Sequence, residues 1–205
     1  MIEAQSIALA TATLRRLLID GIPRQDAQLA QVDVTSLPPD KVNANVDRAT
    51  LNVFLYRVAT PSVLRNSVPS RVGTADDVDS PNEVELHYLL TAYGRVDQEA
   101  GDLSHRVLGA AMRVLQERAV VNTRDLDAML PLHSGLTASH SLTMMPVETT
   151  MHEMATLWSM FHTSYRLSTV YEVLVRAAEG TPVSSDQRNI PPETDSTRVN
   201  PAASS

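Results

Sequence analysis

The sequence lacks cysteine, and Lys41 is the one lysine among its 17 basic residues. Without cysteine there is no disulfide, no thiolate metal site and no cysteine nucleophile. Lys41 follows Pro38-Pro39-Asp40 instead of a glycine-rich loop, so a P-loop is excluded and a Schiff-base lysine is not expected. These absences remove several classes of enzyme.

Positive charge and long apolar runs are also scarce. The formal net charge is -7, which argues against a nucleic-acid-binding protein because such proteins carry a clustered basic face. No uncharged apolar run approaches the roughly 20 residues that span a bilayer, so no membrane insertion is expected. The first residues, Met1 to Gln5, include no basic residue and do not read as a signal peptide. We therefore expect a cytoplasmic protein.

Hydrophobic residues make up 43% of the 205 residues, which is enough for one folded domain. Helical and alternating apolar spacing predict an α/β fold in which helices cover a sheet of about five strands, without fixing the order of the strands. Gly21 and Pro23 are expected to end the first helix, and the small residues Gly109-Ala110-Ala111 to let the second approach the sheet. The predicted helices cover residues 5–20, 97–118 and 151–161, with a turn of helix at 126–130; the predicted strands cover 29–34, 50–59, 84–93, 142–147 and 167–177.

Aromatic residues are only 4% of the chain, yet three of its five tyrosines lie in two strand-like segments, 51–58 and 84–94. This concentration marks the two strands as part of the core. The strand at 50–59 is apolar on both faces, which is typical of a central strand covered on each side. In the helix at 151–161, the residues expected to point inward are Met151, Met154, Ala155, Trp158 and Phe161.

Composition divides the chain into an α/β domain, residues 1–178, and an extended C-terminal arm, residues 179–205, that is rich in proline and serine. The arm has too few bulky apolar side chains to fold alone. Residues 61–82 are rich in Pro, Ser, Asp and Gly and read as a long loop, a feature that is often functional.

The six histidines do not form a recognisable metal motif. His152 and Glu153 begin like HExxH, but Thr156 stands where the second histidine would be. His133 and His140 flank a loop without a nearby carboxylate. We therefore predict no metal site, and we expect His87 and His162 to have packing or capping roles.

Catalytic patterns based on serine or on paired carboxylates are also missing. There is no G-x-S-x-G sequence. The pairs Glu83 with Glu85 and Asp125 with Asp127 are interpreted as solvated carboxylates. The acidic run at 76–79 lacks the glycine and the distal glutamate of a calcium loop. The sequence predicts no catalytic residue and no cofactor.

Four motifs occur in one order: LNVFLYRV at 51–58, VELHYLLTAYG at 84–94, LGAAMRVL at 108–115, and Trp158 followed by YRLS at 165–168. Together they resemble the tail-terminator, or cap, proteins of phage-tail-like extracellular contractile injection systems, of the Photorhabdus virulence cassette and antifeeding prophage type, and in particular the N-terminal domain of those caps.

The resemblance implies a phage tail-terminator-like fold, which is a mixed β-sheet flanked by helices, and no cofactor. It implies a hexameric ring at the end of the tail distal to the baseplate, which terminates the inner tube and anchors the last sheath layer. The implied partners are identical subunits, the inner tube protein and the sheath protein, in a particle that is assembled in the cytoplasm and that lysis can release. Two alternatives stay open: an adaptor linking the particle to a membrane or to another tail component, and a small hydrolase.

Candidate partner contacts lie in the long loop, in a methionine pair and in the arm. For Arg65 and Asn66 a structural role is the alternative, with Asn66 in a turn. The candidates are Arg65, Asn66, Asp76, Asp77, Met144, Met145, Gln187, Arg188, Ile190, Arg198 and Val199.

Overall fold

The computed structural model describes residues 4–42, 48–60, 82–94, 100–130 and 139–178. These residues form strands and helices in a mixed order along the chain. The strands are β1 (Asp33–Thr35), β2 (Thr50–Ala59), β3 (Asn82–Tyr93), β4 (Val120–Asn122), β5 (Ser139–Val147) and β6 (Ser168–Ala178). The helices are α1 (Ala4–Gln25), α2 (Ala100–Glu117), α3 (Thr123–Met129) and α4 (Met151–Met160).

The described strands join into one sheet with the order β1-β2-β3-β6-β5-β4. β1 runs parallel to β2, and the other neighbouring pairs are antiparallel. The central pair, β3 and β6, stays in register from Asn82 opposite Ala177 to Thr91 opposite Ser168. The predicted mixed sheet flanked by helices is therefore confirmed.

One face of this sheet, which we call the helix face, packs against α1 and α2. Alternate residues of a strand point to the same face, and the even-numbered apolar residues of β3 are buried there. Tyr88 is fully buried in this core, and its hydroxyl lies 2.9 Å from the Thr11 hydroxyl of α1. Burial raises the pKa of Tyr88 to about 12. The main residues of this core on α1, α2 and β3 are Leu9, Leu14, Leu18, Val84, Leu86, Leu90, Val107, Ala111, Val114 and Leu115.

Gly21 sets the close approach of α1 and α2. A Cβ at this position would lie 2.6 Å from Val114 Cγ1, well inside van der Waals contact. The prediction that Gly21 and Pro23 end the helix was wrong, because α1 continues to Gln25. Pro23 lacks the N–H that would bond to the carbonyl of Ile19, and the helix ends only two residues after it. The close approach predicted for Gly109-Ala110-Ala111 holds at Ala111, which is fully buried in the helix-face core, but not at Gly109, which is exposed and where a Cβ would meet open space.

Three short elements differ from the sequence prediction. Leu29 lies in a 3₁₀ turn, Ala27–Leu29, which Asp26 caps by accepting a hydrogen bond from the Gln28 N–H at 2.9 Å, so β1 begins later, at Asp33. β4 was not predicted, because its three residues are too few to show alternation. α3 starts at Thr123 and is longer than the single turn expected.

Candidate interaction surface

The second face of the sheet is divided into two halves. Leu89 and Val170, on the central strands, are buried beneath α4, and we call this part the covered half. Further along the same strands, the side chains of this face are mostly polar or charged, and no α-helix among the described residues packs on them; this is the open half. Its residues are Arg57 on β2, Glu83, Glu85 and His87 on β3, Glu172, Leu174 and Arg176 on β6, and Ser141, Thr143 and Met145 on β5.

α4 begins with a reciprocal cap. The Thr150 hydroxyl accepts a hydrogen bond from the Glu153 N–H at 3.2 Å, and Glu153 accepts one from the Thr150 N–H at 2.8 Å. The Thr150 N–H and the Thr150 hydroxyl each donate to Glu153 Oε2 at 2.8 Å, and these two hydrogen bonds hold the pKa of Glu153 below its usual range. Directly after the C-cap Phe161, His162 has a φ of 53°, so the capping role predicted for it is confirmed.

α4 packs through Met154, Leu157 and Trp158, which are buried against the covered half. Phe161 extends this contact, with its ring centroid 6.0 Å from that of Trp158. The inward orientation predicted for Met151 was wrong, because that side chain is 72% exposed. Ala155 is exposed as well. Leu157, not Met151, completes the buried stripe, because Met151 lies in the exposed first turn of the helix and the buried contacts begin at Met154.

On the second face, the side-chain amide of a buried asparagine joins β2 to β1 and to the segment that follows β1. Asn52 is fully buried on β2 and accepts hydrogen bonds from the Thr35 hydroxyl at 2.9 Å and the Leu37 N–H at 3.0 Å. Its amide group donates to the Leu37 carbonyl at 2.9 Å. This one side chain therefore ties β1 and the segment after it to β2.

β2 crosses from the covered to the open half at an irregularity between Leu55 and Arg57. The strand begins buried on both faces, as predicted, but Arg57 and Val58 are exposed. Arg57, His87, Glu172 and Met145 lie in one row across four strands. Direct cross-strand neighbours of this kind have Cβ atoms about 5 Å apart, so the open half presents charged and apolar groups side by side.

Two short polar contacts lie on the open half. Arg176 donates from Nε to Glu83 Oε1 at 2.5 Å, and His87 Nε2 lies 2.5 Å from Glu85 Oε1. His87 is buried, so the packing role predicted for it is confirmed. The solvated interpretation of the Glu83 and Glu85 pair was incomplete, because each carboxylate has its own partner and the side chains are only 14% and 21% exposed.

Sequence reasoning missed a cluster of one histidine and two glutamates on this surface. The ligating atoms of Glu85, His87 and Glu172 all lie within 4.8 Å of one another. The alternation of Glu85 and His87 along β3 was visible in the sequence. Glu172 comes from β6, and the register that places it opposite His87 could not be read from the sequence.

A cavity of about 470 Å³ lies between α4 and the edge of the open half. Tyr56 and His87 form its sheet side, and their ring centroids are 6.0 Å apart. His152 and Met160 line it from α4. Burial raises the pKa of Tyr56. The cavity therefore gives solvent a route to the His87 side of the cluster.

The ends of four strands lie together at the end of the sheet that holds the open half. β2 ends at Ala59 and β3 begins at Asn82, which pairs with Ala177 near the end of β6. β5 begins at Ser139, opposite Ala178. The chain between β2 and β3, the chain before β5 and the chain after β6 therefore all connect to the sheet at the end that holds the open half.

A sequence profile described as the Pvc16 N-terminal domain matches residues 10–190. The chain belongs to this family. The match covers most of the chain and includes the four motifs on which the resemblance was based, so the predicted family is confirmed. No curated protein matches the chain.

Two solved structures resemble this family member. One is the sheath/tube terminator, in the extended state, of an extracellular contractile injection system, PVC: it has 20% sequence identity and a TM-score of 0.45, and the match covers 91% of this chain and 62% of that one. The other is the tube-terminating cap of the anti-feeding prophage, with 21% identity and a TM-score of 0.42, covering 78% of this chain and 57% of that one. The chain thus spans about 60% of the length of each.

The structure describes two of the eleven candidate partner contacts, Met144 and Met145. Met144 was predicted wrongly, because it is 2% exposed and belongs to the helix-face core. Met145, its neighbour on the opposite face of β5, is 44% exposed on the open half and stays a candidate. The candidates outside the described residues are Arg65, Asn66, Asp76, Asp77, Gln187, Arg188, Ile190, Arg198 and Val199.

Among the described residues, no helix combines the length and the apolar character needed to cross a membrane.

Proposed function

We propose that the chain is a structural cap of a phage-tail-like contractile injection system, which terminates the inner tube and anchors the last sheath layer at the end distal to the baseplate. The observation that carries this proposal is the family match over residues 10–190, together with the four ordered motifs. In this proposal the subunits form a hexameric ring, bind the tube and sheath proteins, and assemble with them in the cytoplasm.

The two faces of the sheet support an assembly role. A ring subunit must fold on its own and also present surfaces to identical copies and to other proteins. The helix face provides the fold, and the open half provides a surface of mixed polarity, which is typical of interfaces. We assign partner contact to the open half, with Met145 as its exposed apolar residue.

An enzymatic role has no support in the described residues. One serine and histidine do make contact, Ser6 Oγ and His140 Nε2 at 3.2 Å. They are only 1% and 2% exposed, however, between α1 and β5. A nucleophile sealed in this way could not reach a substrate, so we interpret the pair as a tie between helix and sheet.

The role is tested by electron microscopy of particles from cells that lack this chain, with tube and sheath lengths recorded. The proposal expects overlong, ragged or sheathless particles, and normal lengths when the gene is restored. Particles of normal length without the chain would contradict it. A labelled chain located elsewhere than the distal end of the tail would favour the adaptor alternative.

The C-terminal arm, residues 179–205, is proposed to bind sheath or a neighbouring subunit by adding a strand to a sheet edge. β1 and β4 are the edges of the described sheet. A chain truncated after Gly180 should keep its fold and lose sheath binding in a pull-down assay. Unchanged sheath binding would overturn this part of the proposal and leave the cap role standing.

A further inference from the structure

A ligand set of one imidazole and two carboxylates converges on the open half. Glu85 and His87 are two residues apart on β3 and therefore share a face, and Glu172 lies directly opposite His87 on β6. Their ligating atoms lie within 4.8 Å of one another. The two central strands of the sheet fix this arrangement.

The chemistry of the three groups suits a divalent transition metal. Zn²⁺ takes imidazole nitrogen and carboxylate oxygen at about 2.0–2.2 Å, and three protein ligands leave one position for water. In a tetrahedral site, ligand atoms lie roughly 3.3 Å apart. An ion bound to His87 Nε2 and Glu85 Oε1 would replace the hydrogen bond that now joins them at 2.5 Å. Rotation of the two glutamate side chains about the fixed imidazole can bring the set, now within 4.8 Å, to that spacing without movement of the strands.

The charges around the cluster are unbalanced. Glu172 is half-buried and has no hydrogen bond or ion pair among the described residues. The partner of Glu85 is His87, and Arg176 is engaged by Glu83. Arg57 stands opposite His87 but forms no ion pair within the described ranges. A dication between the two carboxylates would offset their negative charge, which solvent screens incompletely at partly buried positions.

The surroundings of His87 hold its side chain in place and connect it to solvent through a cavity. Its side chain is 9% exposed and lies beside the Tyr56 ring, with 6.0 Å between ring centroids, so the imidazole is held in place before any ion binds. The cavity of about 470 Å³ reaches His87 and is much larger than the roughly 30 Å³ that one water occupies in the liquid. An ion and a water ligand can therefore enter from solvent.

We propose that Glu85, His87 and Glu172 form a binding site for a divalent transition-metal cation, Zn²⁺ in the first instance, that links β3 to β6. The site goes beyond the cap role and does not depend on it.

The test uses the full chain without a histidine tag, freed of metal, titrated with zinc chloride in competition with a chromophoric chelator. We expect about one Zn²⁺ per chain and a higher melting temperature with zinc than without it, since a ligand that binds only the folded state stabilises it. His87→Gln and Glu172→Gln should each weaken zinc binding by at least about tenfold, because each removes a ligand.

Two controls separate this site from general zinc binding. His105→Gln removes an exposed histidine on α2, and Glu83→Gln removes a carboxylate on the same face of β3 that is engaged by Arg176; both should keep the affinity of the unaltered chain. Circular dichroism without zinc must show that every variant is folded. Failure of the unaltered chain to bind zinc, or equal affinity in folded His87→Gln and Glu172→Gln variants, would overturn the proposal.

Discussion

The two faces of the sheet use the same strands for different purposes. On the helix face, even-numbered residues of β3 join α1 and α2 in one continuous core. On the second face, α4 buries a smaller cluster around Trp158 and leaves the other half of the face polar. The difference shows that the core of the described residues uses one face and part of the other, and that no described helix packs on the remaining area.

The largest expected effect on stability comes from changing a leucine to alanine on the helix face, compared with the same change on the open half. Leu86→Ala on the helix face, where the side chain is fully buried, should lower the free energy of unfolding by about 2–5 kcal/mol, because it removes packed atoms and leaves a cavity. Leu174→Ala, half-buried on the open half, should cost about 1 kcal/mol or less. Urea denaturation measures both, and equal losses would remove the distinction between the faces.

The second prediction concerns the close contact of α1 and α2. Gly21→Ala should destabilise the protein by about 1–3 kcal/mol, because the added Cβ meets the stiff β-branched side chain of Val114. Gly109→Ala is the matched control: a Cβ there meets nothing, so better helix propensity should stabilise the protein by up to about 1 kcal/mol. Thermal unfolding distinguishes the two, and a stabilising Gly21→Ala would show that the contact is loose.

A third substitution tests the hydrogen bonds that hold β1 to the second face. Asn52→Ala should cost about 1–3 kcal/mol, because Leu37 N–H and its carbonyl lose a buried partner. Asn122→Ala is the control, since Asn122 is exposed and its side chain does not cap α3. Chemical denaturation should show little change for the control; a similar small change for Asn52→Ala would mean that water replaces the amide.

The smallest expected effect on stability comes from removing the N-cap hydroxyl at the start of α4. Thr150→Ala removes the hydroxyl that accepts from the Glu153 N–H and should lower stability by about 0.5–2 kcal/mol. Hydrogen exchange should show faster exchange in α4 and little change in α1, because α4 belongs to the smaller cluster. Equal acceleration in both helices would indicate that the two faces unfold as one unit.

Local patterns were readable from the sequence, and long-range partners were not. The alternation along β3 and the helical spacing of Val107, Ala111 and Val114 predicted real elements, because each depends on neighbouring residues. The packing role of Gly21 depends on Val114, which is far away in sequence. The cluster at His87 likewise depends on its register with Glu172.

The orientation of exposed residues was predicted least well. Met151 follows the helical spacing of Met154 and Trp158, yet it is 72% exposed, because spacing does not reveal where the covered area of the sheet ends. Met144 and Met145 are adjacent in sequence and lie on opposite faces of β5. Which of the two a partner could reach depends on the face of β5 to which each side chain points, and the local sequence does not show this.

The most direct test of the central claim is complementation of cells lacking this chain with Met145→Asp or Met112→Asp, followed by measurement of tube and sheath lengths. The two methionines are 44% and 39% exposed, one on the open half and one on α2, so a folded subunit should tolerate either change. The account predicts overlong or ragged particles with Met145→Asp and normal particles with Met112→Asp. Normal particles with Met145→Asp would contradict the assignment of the open half to assembly.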